Sequence, residues 1–257
     1  GQTMQTYRQG FSHEFEQIRE YVRGDDSRLM NWKASARRGN LMVNTYREEM
    51  SQSVFCIIDK GRLMRMPFEG ITLLDYSINA ALMFSYVALQ KDDKAGLITF
   101  AEKVYDVVLP TRNRRHFHQI IETLYNQQTQ FLESNFAALY QRINQQSSQR
   151  SLLMLFTHFE TFTGFERQLP YLKAMNRKHI LCVVLFENTE LEKIHTERGD
   201  NLEDIYIKTI ADRFAYEKKR IVLALKQQGI LAICTPPAGL TVAVVNQYLS
   251  LKKRHIV

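Results

Sequence analysis

The side chains able to do chemistry in this 257-residue chain are dispersed, and their spacing excludes more than it suggests. His116 and His118 stand two apart in a helical pattern, so they point to different faces and make a poor shared metal site. His13, His179, His195 and His255 have no partner pattern, which predicts structural or exposed roles. His158 has Glu160 two residues on, a pairing that a hydrolase using the crevice at the sheet's carboxyl edge could draw on. Cys56, Cys182 and Cys234 each lie inside an apolar, β-branched run (VFCII, ILCVV, LAICT) with no CxxC, and read as buried strand thiols in a reducing compartment. Neither GxGxxG nor GxxxxGK[ST] occurs, so the common phosphate cradles are missing. Neither GxSxG nor HExxH occurs either. The expectation is a protein that binds and does not catalyse.

A second group is chemically rich but of a different kind. Arg19, Arg23, Arg28, Lys33 and Arg37 alternate with Asp25, Asp26 and Trp32 inside nineteen residues that include clustered turn-forming sequence. One reading is a recognition surface, with arginine forks and an aromatic anchor facing a protein partner. The other, which the sequence favours, is a clasp: Asp25 and Asp26 shape a turn, the arginines pair with them, and Trp32 packs on the main core.

Net charge is +7, with 34 Lys and Arg against 27 Asp and Glu. Residues 1–50 hold 8 basic and 7 acidic side chains and residues 51–212 hold 18 and 19, whereas residues 213–257 hold 8 and 1. A basic C-terminal face suits an acidic partner, a nucleic acid or an anionic bilayer. Solvated faces of two terminal helices are the reading the sequence favours, since Lys and Arg are favoured near helix C-termini. No arginine-rich tract, RNP, zinc-finger or helix-turn-helix pattern occurs, so no nucleic-acid partner is expected. No apolar stretch is long enough to span a bilayer, and the chain opens Gly1-Gln2 without an initiator Met, as a piece of a longer chain would.

Elements that position these residues are legible from hydrophobic pattern. Val54–Ile58, Ala95–Phe100, Leu152–Phe156, Ile180–Phe186 and Ile230–Cys234 are near-continuous apolar runs, as parallel strands buried on both faces require. Helical stripes separate most of them: Ile71 to Leu89, Phe117 to Leu124, Leu132 to Ile143, and Leu169 to Met175. Longer helical patterns follow at Leu202–Gln228 and Leu240–Lys253, and Asn144–Gln149 reads as a polar loop. Ala95–Phe100 is followed after three residues by Val104–Leu109, which predicts a hairpin. The fold class is therefore α/β, a doubly wound, mostly parallel sheet with one antiparallel edge strand. Residues 1–50, with an extended stretch at Leu41–Tyr46, stand outside this alternation as an N-terminal extension to a domain at 51–257.

The segment from Arg19 to Arg37 (REYVRGDDSRLMNWKASAR) resembles the signature of bacterial proteins in domain-of-unknown-function family 58, with Met30 at the one position that departs. Gly39–Val43, Tyr46–Glu49, Asp93–Phe100, Pro236-Pro237 and Tyr248–Lys252 resemble the family too. That resemblance implies a von Willebrand factor A-like domain. Such domains often bind Mg²⁺ through Asp-x-Ser-x-Ser after the first strand, a later Thr, and an Asp after the fourth strand, an oxygen set suited to a hard cation. Here those positions read Asp59-Lys60-Gly61-Arg62-Leu63, Ser134 and Thr157-His158. Asp59 and Ser134 offer oxygens, Gly61 and Leu63 offer none, His158 replaces the acid, and Lys60 and Arg62 add positive charge. A degenerate adhesion site without bound metal is expected, with Asp59 pairing instead with Lys60, Arg62 or a loop amide. Ser134 reads best as a helix N-cap. The resemblance further implies a MoxR-type AAA+ ATPase as protein partner, and a cytoplasmic domain of an inner-membrane protein whose anchor lies outside this chain.

Overall fold

The computed structural model describes residues 13–48, 51–146, 149–187 and 202–254. They belong to two compact units, Gly1–Ser51 and Gln52–Val257. In the first, β1 (His13–Glu20) pairs antiparallel with β2 (Met42–Glu48), with an irregularity between Phe15 and Gln17. The stretch predicted at Leu41–Tyr46 is β2; its partner β1 carries no apolar run and is not predicted. The connection holds a single 3-10 turn at Ser27–Leu29 and the short helix α1 (Trp32–Arg38). Asn31 caps α1 by accepting the Ala34 N–H at 2.9 Å, and Gly39 ends it in the left-handed region (φ 76°) that favours glycine.

The second unit is built on six strands among the described residues. These are β3 (Ser53–Asp59), β6 (Lys94–Phe100), β7 (Val104–Thr111), β8 (Leu152–Phe156), β9 (Ile180–Phe186) and β10 (Leu231–Thr235), beside a small hairpin of β4 (Pro67–Phe68) and β5 (Ile71–Thr72). Sheet order is β10-β9-β8-β3-β6-β7, parallel except for β7, which pairs antiparallel with β6 at the edge. This is the predicted fold class. β8 and β9 are buried throughout, whereas β7 alternates between exposed and covered positions, as an edge strand should. The last strand is displaced by one residue from the predicted run, to Leu231–Thr235.

Helices α2 (Leu73–Gln90), α3 (Arg114–Tyr125), α4 (Phe136–Gln146), α5 (Phe162–Lys178), α6 (Leu202–Gln227) and α7 (Leu240–Lys253) cover both faces. Strand alternation sends Val54, Cys56 and Ile58 into a core with α2, α3 and α7, and Phe55 and Ile57 into a core with α4, α5 and α6. Cys56 and Cys182 are buried and Cys234 half-buried. Three predicted boundaries move. Ile71 lies in β5, because a Thr72–Asp75 capping box starts α2 at Leu73. Leu132 precedes α4 in a loop, and α4 runs through Gln146 into the stretch read as polar loop. No helix among the described residues is long and apolar enough to cross a membrane.

One buried polar knot joins the beginnings of the strands. The Tyr248 hydroxyl donates to Asp93 Oδ2 at 2.5 Å, the Gln52 N–H donates to Asp93 Oδ1 at 3.0 Å, and Lys252 lies 3.0 Å from the same carboxylate. Tyr248→Phe keeps the ring that packs edge-on against Phe84 and removes only the hydroxyl. It is expected to cost about 1.5–3 kcal/mol in chemical denaturation, the usual range for a hydrogen bond to a charged group.

Strand order also fixes where a site can form. From β3 the chain moves through α2 to β6 and β7 on one side, then returns through α3 and α4 to β8 on the other side of β3. The direction of winding reverses between β3 and β8, and their carboxyl ends, Asp59 and Thr157, flank the resulting crevice.

Candidate functional site: the carboxyl edge around Asp59

β3 delivers Asp59 to this crevice with only 3% of its surface exposed. Asp59 Oδ1 accepts the Gly61 N–H at 2.8 Å and the Ser134 hydroxyl at 2.5 Å, while Oδ2 accepts the Thr157 hydroxyl at 2.7 Å. Of the partners predicted for Asp59, the loop amide is the one found. Burial pushes the carboxyl above its ordinary value and outweighs the three donors that favour its charged form.

Ser134 is not the N-cap of α4. Asn135 takes that role by accepting the Ala138 N–H at 3.0 Å, and its own N–H donates to Ala101 O at 2.8 Å. The capping position is thus one residue later than predicted, and Ser134 is released to reach Asp59. Gly61 explains the tightness: a Cβ built there would lie 1.9 Å from Ser134 Oγ and 2.9 Å from Asp59 Oδ1. The place of a side chain at 61 is already filled by the serine hydroxyl. Leu63 sits half-buried in the 3-10 turn Arg62–Arg65, beside the fully buried Met64.

Both neighbouring cations turn elsewhere. Lys60 is buried; its ammonium lies 4.0 Å from the Tyr105 ring centroid, donates to Gln128 O at 3.3 Å, and comes within 4.0 Å of Asp106. Burial lowers its pKa, against the attraction of Asp106 and Glu102. Arg62 pairs with Glu133 at 3.1 Å, with both side chains mostly exposed, where an ion pair adds little.

His158 belongs to a different cluster. It is 8% exposed, with Nδ1 3.4 Å from the Lys218 ammonium, which also donates to Phe159 O at 2.9 Å. Burial, with the lysine's charge, holds the imidazole well below its ordinary pKa, and burial brings Lys218 to about 8. Glu160 is exposed, so the His158–Glu160 pairing of a hydrolase is not formed here. Lys218 escaped the sequence reading, although it shares a helix face with Ile221 and Leu225 at spacings of three and seven, which marks an inward lysine. Beside Ser134 opens a cleft of about 440 Å³, lined in part by Glu102, Glu133, Asn135, Arg167 and Tyr171.

In the first unit, the Arg19 guanidinium grips Asp25 through two bonds of 2.6 and 2.7 Å, and Asp25 also accepts the Val22 N–H at 2.8 Å. These contacts hold the Asp25 carboxyl below the ordinary carboxylate range. Asp26 accepts the Arg28 N–H at 2.9 Å and caps the following turn. The acids are therefore used within the turn. Arg23, Arg28, Lys33 and Arg37 remain exposed. Trp32 is 68% exposed.

The class of protein is that of a doubly wound, mostly parallel α/β sheet with one antiparallel edge strand, carrying an acid-and-hydroxyl cluster at its carboxyl edge. The chain belongs to the family described as protein of unknown function DUF58, which matches over residues 17–198. No curated protein matches it. Among solved structures, it is similar to the PilB minor pilin from Streptococcus sanguinis at 8% identity and TM-score 0.49, covering 84% of this chain and 64% of the pilin. It is similar to the conserved hypothetical protein BatB from Bacteroides thetaiotaomicron at 12% identity and TM-score 0.49, covering 79% of this chain and 100% of that one. A third is an aerotolerance-related membrane protein from Bacteroides fragilis, at 11% identity and TM-score 0.46, covering 78% and 99%.

Proposed function

We propose that this chain is a non-enzymatic protein-interaction module whose carboxyl-edge site is held closed by its own side chains. The observation that carries the reading is the engagement of both Asp59 oxygens by Gly61, Ser134 and Thr157, with Ser134 Oγ filling the space a ligand at position 61 would need. A hard divalent cation takes about six oxygen ligands. Waters supply several of these on Mg²⁺, so what tells against the ion is that the Asp59, Ser134 and Thr157 oxygens are bonded to one another and position 61 has no room for a further ligand; as they stand, these residues do not fit Mg²⁺.

For the partner, family resemblance favours a MoxR-type AAA+ ATPase, with the parent protein anchored in the inner membrane and this part on the cytoplasmic side. The rim of the cleft beside Ser134 is the natural contact surface, because loops at the carboxyl edge gather there. One observation favours an adhesion-type Mg²⁺ site as the second reading: three oxygen-bearing side chains do converge at Asp59.

A titration of Mg²⁺ and Mn²⁺ followed by melting temperature separates the two. No saturable shift is expected. A saturable rise that disappears in Asp59→Ala overturns the closed-site reading. Co-purification from the native host is expected to bring down an ATPase, and its absence counts against the partner.

A further inference from the structure

Helices that connect parallel strands run against them, so α2, α5 and α6 end where β6, β9 and β10 begin. α7 ends there too: the Lys252 ammonium donates to Lys91 O at 2.8 Å, just past the end of α2. β7 runs in the opposite sense, with Thr111 opposite Ala95, and so brings Arg112 and Arg115 to the same edge. This amino-terminal edge of the sheet lies across the molecule from Asp59.

It is basic and little else. On the α2–α7 face the exposed side chains include Lys91, Lys253 and Arg254; on the α5–α6 face they include Arg177, Lys178 and Lys226. Arg150 lies between the two, ahead of β8, and Arg112 and Arg115 extend the patch past β7; all three are exposed. Among the described residues of the second unit that border these strand starts, the acids are Asp92, exposed, and Asp93, buried against Tyr248 and Lys252. Attraction to helix C-termini accounts for Arg177, Lys178, Lys226 and Lys253 one at a time. It cannot account for Arg112 and Arg115, which border the N-terminus of α3, where the helix field disfavours cations and the first turn holds no acid. Nor does it account for Arg150, which precedes a strand. The opposite edge, by contrast, sets Glu102, Glu133, Glu160 and Glu187 among its cations.

We infer that this amino-terminal edge docks on an anionic bilayer, with lipid phosphate as the chemistry recognised. The charges are spread over both faces of a sheet whose five inter-strand gaps span roughly 24 Å. A broad field of point charges matches a plane of headgroups, and each basic side chain brought within a Debye length raises affinity roughly fivefold. Nucleic acid is the poorer fit: these charges lie on both faces of the sheet and form no single groove-wide stripe, and the exposed aromatic near them, Tyr86, is packed against Phe117. The inference concerns charge on this chain itself and is independent of the reading of Asp59 and of any membrane anchor.

Flotation of the 257-residue chain with vesicles tests it. Binding is expected to phosphatidylcholine vesicles containing phosphatidylglycerol and not to phosphatidylcholine alone, weakening as salt rises. The fourfold variant R112Q/R115Q/R177Q/K178Q, all exposed positions, should bind at least about tenfold more weakly while melting normally. The control R62Q/R65Q, at the opposite edge, should bind like the wild type. The inference is overturned by no binding to anionic vesicles at low salt, by equal losses in the two variants, or by retention of duplex DNA without vesicle binding.

Discussion

Asp59→Ala is expected to destabilise the chain by about 3 kcal/mol, whereas Asp59→Asn should cost about 1 kcal/mol or less at neutral pH, both read from urea denaturation. The alanine removes the common acceptor of Gly61 N–H, Ser134 Oγ and Thr157 Oγ1 and leaves those donors facing a small void. Asparagine keeps an oxygen for Gly61 and Ser134, and its amide can donate to Thr157 once that hydroxyl rotates. It also discards a buried charge. Because burial raises the Asp59 carboxyl, the folded chain holds this proton more tightly than the unfolded chain does. The carboxyl's favourable contribution is therefore complete below the unfolded carboxyl's range and lost as pH rises through the folded value. Relative to Asp59→Asn, wild type should gain stability as pH falls towards the ordinary carboxylate range. A loss of stability over the same interval would contradict the assigned direction. Equal damage from Ala and Asn at neutral pH would show that the charge itself is required, as a cation ligand would require it.

Gly61→Ala should destabilise by about 2–3 kcal/mol, although nothing in the backbone forbids it: φ −73° and ψ 176° are extended values that any residue adopts. The obstacle is purely steric. The new methyl would collide with Ser134 Oγ at 1.9 Å and crowd Leu132 O at 3.1 Å, so Ser134 must rotate away from Asp59 or the loop must shift. Ser134→Ala alone should cost about 1–2 kcal/mol, by deleting one donor to the carboxylate. Combined with Ser134→Ala, the Gly61→Ala change loses its principal clash. The double variant should then fall short of additivity by at least about 1 kcal/mol, measured as a double-mutant cycle. Strict additivity would mean that the two positions do not compete for one space. Gly61→Ser, which restores an oxygen to the motif, should fail for the same reason unless Ser134 is also removed.

Much of the fold was legible because its signals are local. Leu152–Phe156 and Ile180–Phe186 are continuous apolar runs that only a doubly covered strand can use, and the turn Ala101-Glu102-Lys103 forces β7 back along β6. Errors fell where two local rules competed. Ser134 and Asn135 are both good capping residues, and what decided between them was a carboxylate 75 residues away. Ile71 and Leu132 fit a helical period, yet the capping box at Thr72 and the cap at Asn135 start their helices later.

By itself the sequence determined the strand–helix alternation, the edge hairpin, the family signature and the identity of Asp59 as the acid at the end of the first central strand. These depend on periodicity and on neighbours within a few residues. Only the tertiary structure decided what closes Asp59, since Thr157 meets it from 98 residues away through the pairing of β3 with β8. The same holds for the turning of Lys218 onto His158 and for the fate of the basic C-terminal residues. Those residues do not form one face: Lys218 goes inward, Arg220 lies 4.0 Å from the Phe162 ring, and Lys252 ties to Asp93. Lys226, Lys253 and Arg254 instead join arginines from β7, β8 and α5 at one edge of the sheet. Charge along a chain is a sum over sequence, whereas the field a partner meets is a sum over space, and the order of the strands converts one into the other.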